Sequence, residues 1–444
     1  RRLFDRVTDG KLQWAKMDDN YDRIIFPDKS YDFIAPKEKF IDSLSAHFPE
    51  EEHNIREYVN LLNSQVKSGR GFFTSKALPK WLAPLLRNSM TKQFYKNANR
   101  TTKEVLQELT QNEKLLGVLT GQWGDHGLPP ERSSFAMHAM VARHYLDGGN
   151  YPVGGSRMIA EYATDLIEKL GGKVVVSTGV DEILVHGRKV TGVRLENGNE
   201  LFADKVVSSA GLVNTVNTFL RNQPQFSKFK SKLKKVQPTE SYLCLYIGLK
   251  KSAKELGLKT TNLWIYPGYN HDKNIADYQK DPNVNFPVVY VSFPSAKDPD
   301  WDKNHPGCAT MEAITLGRWE WVEKWDKKPW KKRGNDYENF KEEISQKILN
   351  VVFKHVPNVK ESLDHYELST PLSVRDMAHY PAGEMYGLNH TPKRFRQKWL
   401  RPQTGIKNLY LTGQDITTVG LTSALFSGLL TASTIIGKNL FKEL

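Results

Sequence analysis

The chain has 444 residues, 39% hydrophobic and 25% charged; this balance excludes long disorder, collagen-like repeats and a multi-span membrane protein, and at roughly 100–200 residues per domain it suggests two or three domains. The formal net charge of +13 and the pI of about 9.3 admit nucleic acid, anionic lipid or an anionic cofactor as partner. Two cysteines, Cys244 and Cys308, exclude a disulfide-dense scaffold and an all-cysteine zinc site.

No signal or transit peptide is visible, and the opening Arg1-Arg2-Leu3 without Met reads as an incomplete N-terminus. Phe40, Ile41, Leu44, Phe48, Ile55, Tyr58, Val59, Leu61 and Leu62 recur at helical spacing, which predicts helix over 36–68 with a break at Pro49. Residues 76–120 also read as mostly helical, broken near Pro79 and Pro84. Within them, 78–87 mixes apolar bulk with cations, as either a membrane-surface segment or a buried helix pair does. His126, His138 and His144 are close in sequence, but no i,i+4 pair faces an acidic partner, so no metal site is expected.

The character changes at Tyr151-Pro-Val-Gly-Gly155. A helix is predicted from Met158 to Leu170, with Met158, Ile159, Tyr162, Ala163, Leu166, Ile167 and Leu170 forming an apolar face and Gly171-Gly172 closing it. Four strand-like runs follow, at 173–177, 181–186, 189–195 and 200–208, with a hairpin signal at Asn197-Gly198. Residues 241–250, 287–293 and 308–316 predict strands of a second sheet. A charged, Trp-rich helix and turn at 318–333 and a helix at 336–356 come next. The basic runs 228–235 and 324–333, the second with Trp325 and Trp330, read as solvated faces or a membrane-interface anchor rather than a nucleic-acid contact. No nucleophile motif occurs.

The most informative segment is the last. The strand Asn408-Leu-Tyr-Leu-Thr412 delivers Gly413, Gln414 and Asp415, and a helix with Gly420, Ala424 and Gly428 on one face runs to about Leu440. Ligands in open α/β sheets sit beyond the carboxyl ends of strands, and a helix N-terminus there offers free N–H groups. Residues 416–437 carry no charge, but roughly half are Thr, Ser or Gly, so a buried helix fits better than a membrane span.

Tyr151-Pro-Val-Gly-Gly-Ser-Arg157, the helix ending in Gly-Gly, and Asn408-Leu-Tyr-Leu-Thr-Gly-Gln-Asp415 resemble the flavoprotein family of phytoene desaturases, carotenoid isomerases and retinol saturases. Ser134-Phe-Ala-Met-His-Ala-Met140, Phe293-Pro-Ser-Ala-Lys-Asp-Pro299, Glu320-Trp-Val-Glu-Lys-Trp325 and Arg333-Gly-Asn-Asp-Tyr337 are most similar to the retinol saturase subgroup. The resemblance implies an α/β fold with an α+β substrate part: a two-domain FAD/NAD(P)-binding flavoprotein of the glutathione-reductase or amine-oxidase type. It implies a substrate- and membrane-facing helical part at 1–149, FAD-binding segments at 150–240 and 366–444, and substrate sheet and helices at 241–365. The family's Gly-Xaa-Gly-Xaa-Xaa-Gly βαβ unit is absent from residues 1–444. The expectation is a fragment lacking that unit; the rival is a chain that lost flavin binding.

By resemblance, non-covalent FAD would meet Val180 at the adenine, Gly413, Gln414 and Asp415 at the ribityl–pyrophosphate, and Gly420, Leu421 and Ala424 near the ring. Either Gln414 or Asp415 fills the family's acidic position. Pro381-Ala-Gly-Glu-Met-Tyr-Gly387 would lie beside the ring, with Tyr386 and Asp415 as candidate proton donors. The implied reaction is reduction of a polyene isoprenoid, all-trans-retinol to 13,14-dihydroretinol, with NAD(P)H as electron donor. Desaturation, cis-trans isomerisation or a non-catalytic lipid-binding remnant are the alternatives. A retinoid or carotenoid and a membrane surface are the implied partners, with no nucleic acid. The implied location is the endoplasmic reticulum, or a bacterial or plastid membrane for a relative outside the retinol saturases.

Overall fold

The computed structural model describes residues 1–79, 81–223 and 227–444. Lys80, inside the 78–87 run, lies outside the described residues, as does the side chain of Lys228 at the head of the 228–235 run.

Two layered units share the chain, which is the mixed α/β architecture expected. Strands β1 (Trp14–Lys16), β2 (Asn20–Ile25) and β3 (Ser30–Ile34) open it. The middle of the chain supplies β4 (Asn150–Pro152), β5 (Val180–His186), β6 (Lys189–Leu195), β7 (Glu200–Phe202) and β8 (Val206–Ser208). Then come β9 (Ser241–Leu249), β10 (Asn262–Ile265), β11 (Val289–Ser292), β12 (Ala309–Gly317), β13 (Leu363–Ser369) and β14 (Leu409–Leu411). Seven of them form one sheet in the order β13-β9-β12-β11-β10-β2-β3. Only the β10–β2 pair in it is parallel. Its longest seam pairs β9 with β12 from Leu249 opposite Ala309 to Ser241 opposite Gly317. Along β12, Ala309, Met311 and Ala313 point inward while Thr310, Glu312 and Ile314 alternate with them, the period-two pattern of a strand with one buried face.

Helices cover this sheet. Asn335–His355 buries Ile344, Ile348, Leu349 and Val352, an i,i+4 stripe, over β11 and β13. Glu52–Ala77 packs against Phe135–Tyr145 and carries Ile55, Tyr58, Val59 and Leu62 into the same core. The break at Pro49 is a 3-10 turn, Pro49–Glu51, between Lys37–His47 and Glu52–Ala77. Pro84 breaks nothing: it sits in the first turn of Ala83–Ala98, where its missing N–H costs no hydrogen bond.

The second unit holds the antiparallel meander β5-β6-β7 and the parallel pair β14–β8. Ile183, Val190, Leu212, Val216, Leu388, Leu409 and Leu411 form its core. Three expectations change here. The 173–177 run is not a strand: Val174, Val175 and Val176 are exposed and join no ladder. The 200–208 run divides at the Ala203–Lys205 bend, so that β7 pairs in the meander while β8 pairs with β14. The apolar face predicted for the helix Arg157–Lys169 has no buried residue, and the following Leu170 is exposed.

In the Trp-rich segment Trp330 is half exposed, but its neighbours are tied inward. Trp325 is buried and its indole N–H donates to Asp336 Oδ2 at 2.6 Å, while Arg333 is buried against Asp376 at 2.5 Å. The final helix is Leu421–Ile436; Gly437, at φ +74°, stops it short of Leu440. Among the described residues, no helix is long and apolar enough to cross a membrane.

Candidate functional site

The site forms where β8 and β14 end side by side. Thr412 N–H donates to the Ser208 carbonyl at 2.9 Å, so both strands release their chains at one level. Each exit needs a glycine: Gly413 has φ +93° and Gly211 has φ +82° with ψ 150°. Asp415, delivered by the first exit, accepts the Leu212 N–H on Oδ2 at 2.7 Å and the Leu388 N–H on Oδ1 at 2.9 Å. It is buried and joins three segments of chain. Gln414 donates from Nε2 to the Tyr380 hydroxyl at 2.7 Å.

Arg394 holds the loop from beneath. Its buried guanidinium donates to the carbonyls of Leu388, Gln414, Asp415 and Thr417 and lies 2.9 Å from His390 Nε2. Burial pulls its pKa down to about 10, so it remains a cation at neutral pH. His390 Nε2 also accepts the Val419 N–H at 3.0 Å, which places the ring proton of the neutral tautomer on Nδ1.

That loop leads into the last helix. Gly420 is its N-cap, at φ 93° and ψ 162°, and no side chain caps it. The first bond inside the helix runs from Ala424 N–H to the Gly420 carbonyl at 2.9 Å. The N–H groups of Leu421, Thr422 and Ser423 therefore point out of the helix end. A side chain at Gly420 or Gly428 would meet only open space.

An aromatic wall faces this turn. Tyr386 packs edge-on against Tyr242, with centroids 5.8 Å apart. A Cβ at Gly387 would fall 2.3 Å from Asp415 Oδ1, so the Tyr386 segment lies directly on the turn. Burial pushes the Tyr386 hydroxyl far above the usual phenol range, which keeps it protonated. The Tyr242 hydroxyl donates to the Gly124 carbonyl at 3.1 Å, tying in the turn Trp123–Asp125.

Of the residues singled out in the sequence, Gly413, Gln414, Asp415, Gly420, Leu421, Ala424 and Tyr386 meet around this turn and helix end. Val180 stands apart from them, opposite Leu195 at the start of β5. Sequence reasoning missed Arg394 and His390, whose local sequence carries no motif, and the Leu212 and Leu388 backbone donors, which only the fold brings to Asp415. Asp415 has both oxygens engaged by backbone, so its geometry is that of a brace. The donor set fits an anionic dinucleotide: an uncapped helix end, glycines that keep the approach open, and a buried cation behind the loop. Among the described residues no group of His, Cys, Asp and Glu could hold a metal ion.

The profile of the family described as flavin containing amine oxidoreductase matches residues 16–436. An all-trans-retinol 13,14-reductase of Danio rerio is 34% identical, covering 100% of this chain and 76% of that protein. A second Danio rerio protein, named an inactive all-trans-retinol 13,14-reductase, is 29% identical over 99% of this chain and 76% of its own length. Among solved structures, a putrescine oxidase superposes with a TM-score of 0.59 at 13% identity, covering 98% of this chain and 85% of that one; it shows the fold alone. The chain belongs to the flavin containing amine oxidoreductase family, in the branch of the all-trans-retinol 13,14-reductases, and is an FAD-dependent oxidoreductase.

Proposed function

We propose that the chain reduces a carbon–carbon double bond of a polyene isoprenoid, converting all-trans-retinol to 13,14-dihydroretinol with NAD(P)H as the source of electrons. What carries this proposal is similarity along the whole chain to a protein named for that reaction, together with the uncapped helix end and its glycine-lined approach. Bound FAD supplies the hydride.

The chain's own residues hold, orient and shield. The N–H groups of Leu421, Thr422 and Ser423 and the Arg394 cation behind them stabilise negative charge at the helix end. Gly413, Gln414 and Asp415 would hold the ribityl–pyrophosphate part, Gly420, Leu421 and Ala424 the ring, and Val180 the adenine. Asp415 fixes the turn to the Tyr386 segment through two backbone N–H groups. Tyr386 and Tyr242 exclude water from the reacting bond, and Tyr386, which keeps its proton, is the candidate donor to the carbon that does not receive hydride.

Access to a nearly insoluble substrate is the remaining requirement. Trp81 and Leu85 are 74% and 71% exposed at the start of the helix Ala83–Ala98. An exposed Trp beside Leu and Arg87 suits the headgroup level of a bilayer. The proposed function is tested by incubating flavin-loaded protein with NADPH and, in turn, all-trans-retinol and several carotenes, and measuring product mass. Retinol gaining two hydrogens supports it. Loss of two hydrogens assigns desaturation, unchanged mass with altered geometry assigns isomerisation, and no reaction with any polyene assigns a non-catalytic relative.

A further inference from the structure

His126 is 1% exposed, and neither of its ring nitrogens has a hydrogen-bond partner outside its own residue. Its histidine neighbours each keep at least one partner: His138 Nε2 shares a hydrogen bond with the Tyr58 hydroxyl at 2.9 Å, and His390 Nε2 accepts from Val419, although His390 Nδ1 has no partner. An imidazole shut away from water with its polar atoms unused is costly, so such a group calls for a ligand that enters the interior.

Position says where that ligand would lie. His126 ends the turn Trp123–Asp125. A Cβ at the next residue, Gly127, would fall 3.1 Å from the Tyr386 ring and 3.4 Å from the Tyr242 hydroxyl. The His126 ring is also near enough to His390, under the loop that precedes the last helix, to disfavour its protonation. His126 is thus a polar point beside the aromatic wall of the proposed reaction site.

Resting on the function proposed above, we propose that His126 is the hydroxyl anchor of the substrate site, hydrogen-bonding the alcohol group of an isoprenoid alcohol and so presenting the double bond beside the carbinol carbon for reduction. Burial holds the ring neutral at physiological pH, with its pKa down at about 3. A neutral imidazole offers one donor and one acceptor. An alcohol matches both. An ether or aldehyde can only accept, and a hydrocarbon such as a carotene offers neither. In all-trans-retinol the carbinol carbon is bonded to one end of the 13,14 double bond, so an anchor at the hydroxyl selects that bond from the conjugated series.

The test is a binding titration of the oxidised holoenzyme, without electron donor, using all-trans-retinol and retinyl methyl ether and following ligand fluorescence. Wild-type protein is expected to favour the alcohol by about tenfold or more. His126→Phe is expected to bind both ligands at the level of the ether, and His126→Gln, which keeps a donor and an acceptor, to retain part of the preference. Equal affinities in the wild type overturn the anchor, as does an undiminished preference in His126→Phe. If the Phe variant does not fold, the wild-type pair and the Gln variant decide. Turnover is read separately: wild-type protein that prefers the alcohol yet releases it unreduced contradicts the proposed reduction and leaves the anchor standing.

Discussion

Asp415 and Gly420 set the two ends of the loop before the last helix by different means. Asp415 reaches donors 203 and 27 residues away along the chain. Asp415→Ala leaves two buried N–H groups without an acceptor, each worth about 1–3 kcal/mol. Asp415→Asn keeps one acceptor oxygen and should lose less. Denaturant melts of the two variants check this, and equal losses would show that the backbone bonds are not what stabilises the turn. Gly420 works through backbone alone: φ 93° with ψ 162° is a region that side chains other than hydrogen scarcely enter, at a cost of about 1–3 kcal/mol. Gly420→Val should therefore lower flavin retention, measured as flavin per protein after gel filtration. Gly428→Ala, whose methyl meets open space, should retain flavin as the wild type does; equal retention in both variants would contradict a role for the Gly420 backbone. The glycines and the Gly-Gln-Asp turn were legible in the sequence because strand, turn and small-residue helix are contiguous. Arg394 and His390 were not, because their partners are backbone atoms that only tertiary folding supplies.

Among the elements, the strands best predicted were those with long alternating patterns, β9, β12 and the meander. β2 and β10 escaped. They pair in parallel across some 240 residues, Asp22 opposite Asn262, and no local turn signal links partners so far apart. The 173–177 run failed in the opposite sense: Val-Val-Val has high strand propensity, but a strand exists only where a neighbour accepts its hydrogen bonds. A polar cluster behind these strands was equally invisible. Asp22 accepts from Gln122 at 2.6 Å and from Asn262 at 2.9 Å, and Lys297 donates to Asn262 at 2.5 Å and to Ser292 at 2.7 Å. Near it, desolvation and then the Asp22 charge raise the Asp125 pKa from 3.8 to about 7. A carboxyl whose pKa is raised by folding contributes stability below its unfolded pKa and loses it as pH climbs through the folded value. The thermal midpoint of Asp125→Asn relative to wild type should consequently rise between about pH 4 and pH 7 and level off above. A difference constant with pH would refute this placement of the proton.

For the molecule as a whole, the sequence conveyed the α/β class and the strand, turn and helix of the last segment, since those rest on local motifs. It did not convey that the N-terminal residues give two strands to the seven-stranded sheet, which is a matter of long-range pairing. The surface raises a separate question of substrate supply. Trp81→Ser with Leu85→Ser removes exposed apolar side chains and should leave the melting temperature unchanged while reducing co-sedimentation with anionic phospholipid vesicles by about tenfold or more. Unaltered vesicle binding would place membrane contact elsewhere on this +13 chain.

Most direct is a single turnover without oxygen: the flavin of the loaded protein is reduced chemically, one equivalent of all-trans-retinol is added, and flavin absorbance and product mass are followed together. The expected result is one oxidised flavin for each 13,14-dihydroretinol formed. Flavin that stays reduced while retinol is recovered intact would contradict the claim that this chain reduces a carbon–carbon double bond.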